Sequence, residues 1–206
     1  MALIRSTFTT ASQDDTRAPE QWLEQLCAGD SALRREAAMA LGLIAGCSQA
    51  LIAQLDQETH ASVIEALIGA LAHQADEAAV LALIDCIRSE DASLRNDAIE
   101  ALKSAGAAQP HLIQQALNDS DSDVRILAVG ILETLRHPEV ELWLIELLEQ
   151  ETHVNVCACA IDVLCEVGSA RALDVLELCR ERFAEHDYLV FSLELALKRL
   201  QAESSS

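Results

Sequence analysis

Apolar and small residues recur along this chain at positions 0, +4 and +8 of a unit about thirty residues long. The triples Leu33/Ala37/Leu41, Val63/Leu67/Leu71, Leu94/Ala98/Leu102, Val124/Ala128/Leu132, Val156/Ala160/Leu164 and Leu189/Leu193/Leu197 begin 30, 31, 30, 32 and 33 residues apart. Residues four apart stack on one side of a helix, so each triple predicts a helix with a buried face. Upstream of each stands a second apolar stretch, such as Trp22-Leu23-x-x-Leu26, Leu51-Ile52-x-x-Leu55 or Leu142-Trp143-Leu144-Ile145. The unit is a helical hairpin. Its two helices are joined by short polar turns such as Asn118-Asp119-Ser120-Asp121, suited to N-capping the second helix. Gly46, Gly106 and Gly168 follow second helices, where left-handed C-terminal caps favour glycine.

A single hairpin cannot bury its apolar face alone, and a period of this size marks a repeat architecture. The pattern predicts an all-α chain: a right-handed α-solenoid of about six hairpins over residues 18–201, with the second helices lining the concave side. Residues 1–17, rich in Ser, Thr and Asp, lack the period and read as a flexible N-terminal arm. Residues 202–206 read as a disordered tail.

One further column is specific. Three residues before position 0 stand Asp30, His60, Asp91, Asp121, His153 and His186, while position +1 holds Arg34, Ile64, Arg95, Arg125, Cys157 and Val190. Every Asp is matched by an Arg. An Asp there accepts backbone N–H groups at the helix start, and the Arg reaches either that carboxylate or the one on the next repeat. The segments Asp91-Ala-Ser-Leu-Arg95-Asn-Asp-Ala98 and Asp121-Ser-Asp-Val-Arg125-Ile-Leu-Ala128 resemble the Asp-x-x-Val-Arg-x-x-Ala signature of HEAT repeats. They look most like the phycobilisome lyase HEAT-like subtype. Repeats two, five and six depart from it by carrying His for Asp and lacking the Arg. The subtype implies, as one reading, a phycobilin lyase-like enzyme or a chromophore or protein chaperone, but no residue here is assignable to that chemistry.

Composition narrows the partners. Hydrophobic residues make up 51% of the 206 and aromatic ones 3%, and seven Gly with three Pro punctuate a helix-forming background. Fourteen Lys+Arg against 34 Asp+Glu leave a net charge of −20. A polyanion such as nucleic acid, or an anionic membrane leaflet, is repelled by such a surface. The seven cysteines form no CxxC pair and the N-terminus has no long apolar stretch, which fits a reducing cytoplasm.

Candidate chemistry is sparse. The near-identical strings Gln57-Glu-Thr-His60 and Gln150-Glu-Thr-His153 invite a metal site. They stand three repeats apart, roughly 30 Å at about 10 Å per packed helix layer, and the His-Glu dipeptides of di-iron HEAT-like enzymes are missing. An internal duplication explains them better, so no metal, cofactor or catalytic residue is assigned. Cys157 and Cys159 point about 200° apart on a helix and cannot share a ligand.

The informative feature is the pair of columns +2 and +6, which should face away from the stacking core. They hold Arg35/Met39, Glu65/Gly69 and Asn96/Glu100 in the first three repeats, then Ile126/Gly130, Ala158/Asp162 and Phe191/Leu195. The expectation is a non-catalytic scaffold or adaptor docking a protein partner, a basic one by steering, on Arg35, Asn96, Ile126, Ala158, Phe191 and Leu195. With no polar cap after Leu200, self-association through the terminal repeat is a further expectation.

Overall fold

Helices pair in chain order, and each pair is one of the hairpins read from the period. In the computed structural model, which describes residues 17–204, they are α1 (Pro19–Ala28) with α2 (Ser31–Gly42), and α3 (Ser48–Leu55) with α4 (Ala61–Gln74). The middle pairs are α5 (Glu77–Cys86) with α6 (Ala92–Ala105), and α7 (Pro110–Ala116) with α8 (Ser122–Leu132). The last are α9 (Val140–Gln150) with α10 (Val154–Val167), and α11 (Leu173–Arg182) with α12 (Asp187–Ser204). Second helices pack in succession from α2 to α12, giving an all-α solenoid of six hairpins. Of the expected arm only Arg17 is described. Its guanidinium lies 3.9 Å over the Trp22 ring and donates to Gln25 Oε1 and Glu36 Oε1. At the other end α12 continues through Ser204, past the boundary expected at 201, since Gln, Ala and Glu favour helix and nothing breaks it.

The repeating triples form the core. All their members are buried except Leu94, which is half-buried against the core, and Leu33, which is 43% exposed on the first described hairpin. Column +5 shows how the stack is built. Ala38, Ile68, Val129 and Ile161 there are buried and Ile99 packs half-buried, whereas the equivalent residue of α12 is Glu194, exposed to solvent. A seventh hairpin would have to pack on that carboxylate.

Helix starts follow the expected chemistry where Asp is present. Asp30 accepts from Leu33 N, Asp91 from Ser93 N and Asp121 from Asp123 N at 2.8–3.0 Å. Of the three glycines expected to be left-handed after second helices, only Gly46 is. Gly106 (φ −60°) runs into a 3-10 turn and Gly168 (φ −75°) is extended; neither is left-handed. A Cβ on Gly168 would collide with the Leu164 carbonyl, so close approach is what requires glycine there. Among the described residues the left-handed ones are Gly46 (φ 85°) and Ala75 (φ 49°), the latter ending α4 without glycine. Side chains from the following repeat satisfy the terminal carbonyls instead: Gln74 donates to Leu41, Gly42 and Ile44, Arg182 to Leu148 and Glu151, and Arg199 to Cys165 and Glu166. Each such bond ties one hairpin to the next.

Candidate functional site

The outward columns of the second helices are open at two glycines. A Cβ built on Gly69 or on Gly130 meets no atom within 4 Å, as expected of positions facing away from the stack. Arg35 on α2 and Asn96 on α6 are exposed, whereas Ile126 on α8 and Ala158 on α10 are half-buried and pack against the core. Phe191 and Leu195 on α12 are 67% and 55% exposed, and Tyr188, one turn earlier, is 69% exposed. Spacings of three and seven put these last three side chains on one face of α12. The result is an apolar stripe in water at one end of the solenoid, while the other predicted residues are spread along its length. Sequence reading missed Tyr188, which lies at −1 and outside the two columns considered. Its signal was the i, i+3, i+7 spacing with Phe191 and Leu195.

The Arg column does something different from what its spacing suggests. Arg34 and Arg125 do not bond their own Asp. Each crosses to the turn of the next repeat and grips a glutamate bidentately: Arg34 Nε and Nη2 donate to Glu58 at 2.7 and 2.9 Å, and Arg125 Nε and Nη2 to Glu151 at 2.7 and 3.1 Å. The third donor, Nη1, returns to its own turn, at Gly29 O and at Asp119 O respectively. Glu58 Oε1 also accepts from the backbone N–H of Thr59 and His60, and Glu151 Oε1 from Thr152 and His153. The twin Gln-Glu-Thr-His strings are thus receptors for an arginine from the preceding repeat, with Glu as the working residue. Both carboxylates are almost fully buried, at 2% and 5% side-chain exposure.

These partners set the acidities. The hydrogen bonds from Arg34 bring the Glu58 carboxyl down to about 2 against the cost of its burial. Burial pushes Glu151 up, but the Arg125 guanidinium and two backbone N–H groups together hold it below its ordinary value. The histidines of the strings are exposed and cap no helix with a side-chain bond. Among the described residues, no group of three or more His, Cys, Asp and Glu side chains is placed to hold a metal ion.

The cysteines divide by burial. Cys157 and Cys179 are buried, with Sγ donating to the Glu151 and Leu148 carbonyls, while Cys159 and Cys165 are half-buried and Cys27 is exposed. Burial pushes the Cys157 thiol up to about 12 and the Cys86 thiol up to about 11. Thiolate is the reactive form. Iodoacetamide at neutral pH should therefore alkylate Cys27 first and reach Cys157 and Cys179 only after unfolding. Mass spectrometry showing early modification of Cys157 would contradict this packing.

Residues 109–185 match the HEAT repeats family. No curated protein matches the chain. Among solved structures, the complex of CpcE and CpcF of phycocyanin lyase from Nostoc sp. PCC7120 is similar over 92% of this chain and 97% of that one, at 20% identity and a TM-score of 0.41. Two engineered proteins are similar over 89% and 90% of this chain and 96% and 99% of theirs, each at 20% identity, with TM-scores of 0.37 and 0.43. Among the described residues, no helix is long and apolar enough to cross a membrane.

Proposed function

We propose that this chain, a HEAT-repeat protein, is a non-catalytic docking module that holds a protein partner along the outward columns of its second helices. The observation that carries the reading is the stripe of Tyr188, Phe191 and Leu195 on α12, exposed at 69%, 67% and 55%. Large side chains kept in water on one helix face cost solubility and mark contact sites. Aromatic residues of this kind are the usual anchors of an interface. Half-buried Ile126 and Ala158 extend the apolar character along neighbouring helices, and exposed Arg35 and Asn96 are polar positions in the first three hairpins. The net charge of −20 favours a basic partner by raising its encounter rate. Exposed Glu194, in the column where hairpins stack, disfavours assembly by continuing the solenoid with a second copy.

The test is a double substitution, Phe191→Asp with Leu195→Asp. Both side chains lie in solvent, so the melting temperature should stay within a few degrees of the wild type. Wild-type protein used as bait is expected to retain a stoichiometric protein from its native cell extract, and the double variant to lose it. The same partner held equally by both proteins would remove α12 from the interface.

A further inference from the structure

Of the three arginines in this column, the middle one, Arg95, lacks the glutamate that the other two grip. Arg95 occupies the position of Arg34 and Arg125, and its Nη1 makes the same return bond, to Ser89 O at 2.7 Å. The acceptor awaiting its other two donors should sit in the next turn, two residues before Asp121, as Glu58 does before His60 and Glu151 before His153. That residue is Asp119. Its side chain is one methylene shorter, and it is engaged elsewhere: Arg88 Nη2 donates to Oδ2 at 2.5 Å and Asp121 N donates to Oδ1 at 2.9 Å. Among the described residues, Arg95 has no carboxylate partner. Its Nε and Nη2 edge, the edge that elsewhere takes a carboxylate bidentately, is left open.

Two independent features coincide with this gap. The packing between α6 and α8 is the sparsest between any two successive second helices. At that seam lies a cleft of about 320 Å³ whose lining includes Arg88, Arg95, Glu90, Asp121, Asp123 and Ile126. That volume is at the lower end of ligand-binding clefts, which start near ~300 Å³. The cleft has a planar fork of donors at one point, an apolar wall at Ile126 and Leu127, and three carboxylates at its rim. Once Arg88 is neutralised by Asp119, the rim outweighs Arg95 in charge, so an isolated anion is poorly served.

We propose that this cleft binds an acidic side chain of the partner polypeptide flanked by basic residues, the carboxylate completing the fork of Arg95 and the cations facing Glu90, Asp121 and Asp123. The site rests on the reading of the chain as a docking module and adds the chemistry of one contact to it. A guanidinium fork and a carboxylate match in geometry, and such charge-assisted pairs are among the stronger polar contacts. The partner thus supplies the carboxylate that Arg95 lacks between the third and fourth hairpins.

The probe is the capped tripeptide acetyl-Lys-Glu-Lys-amide, with acetyl-Lys-Gln-Lys-amide and acetate as controls, followed through the arginine side-chain Nε–H resonances by ¹⁵N NMR. Arg95 should shift saturably with the glutamate peptide, while Arg34 and Arg125, already paired, stay still. The glutamine peptide and acetate should bind at least about tenfold more weakly, the loss of one bidentate charged contact. Asp119→Glu, which restores the length found at Glu58 and Glu151, should fill the fork and weaken the glutamate peptide by a similar factor without lowering the melting temperature. Equal responses to the glutamate and glutamine peptides, or undiminished binding to Asp119→Glu, would overturn the assignment. The Phe191→Asp/Leu195→Asp variant should bind the peptide as the wild type does, so failure at this cleft and failure of the α12 interface are read separately.

Discussion

Arg125→Ala should lower the free energy of unfolding by about 3 kcal/mol, the usual cost of stranding one member of a buried ion pair. Glu151, at 5% side-chain exposure, would be left with only its two backbone donors. Urea unfolding at neutral pH measures this directly. Arg95→Ala is the matched control: it occupies the same column but gives up only the bond to Ser89 O, worth about 1 kcal/mol. Similar losses for the two variants would mean that the rung between α8 and the turn before α10 contributes little.

Acid should probe the same interaction. Glu58 is held at about 2 against an ordinary value of 4.5, and Glu151 is also lowered. A carboxyl with a depressed folded-state pKa stabilises the fold fully above its unfolded pKa and loses that contribution as pH falls through the folded value. Wild-type stability should accordingly drain away between about pH 4.5 and 2, more steeply than that of Arg125→Ala.

Gly42→Leu is the second large expectation. A Cβ at Gly42 would lie 2.8 Å from both Cα and Cβ of Ala70, so α2 and α4 meet there almost backbone to backbone. Neither helix can yield by rotating a side chain. Overpacking of this kind should cost about 3 kcal/mol. Its distribution matters as much as its size, because in a solenoid each hairpin is coupled mainly to its neighbours. Hydrogen exchange should show α1 to α4 losing protection while α10 to α12 keep most of theirs. Uniform loss across all six hairpins would point to a single cooperative unit instead.

What the sequence made legible follows from distance along the chain. The six triples, the hairpins and the Asp caps depend on contacts within a few residues, where helical period and backbone geometry translate spacing into structure. So Val63, Leu67 and Leu71 could be placed in the core, and Asp121 at a helix start, without a fold. The outward direction of columns +2 and +6 followed from the same period. Phe191 and Leu195 are accordingly exposed, while the packing of Ile126 and Ala158 depended on how closely neighbouring hairpins approach.

Contacts between repeats were not legible in this way. The spacing of Asp30 and Arg34 allowed a pair within the turn, yet the arginine is used by Glu58, 24 residues on. The Gln-Glu-Thr-His strings drew attention to their histidines, and burial selected the glutamates. Gly106 and Gly168 carried the sign of a left-handed cap, but the left-handed residue at a helix end is Ala75, held there by the helices around it. The amino-acid sequence by itself determined which residues turn inward and how many hairpins stack, because helical period is a local property. Only the tertiary structure decided which charges meet, and that Arg95 alone in its column is left with an open fork, because those outcomes depend on a methylene's difference in reach across a packed interface.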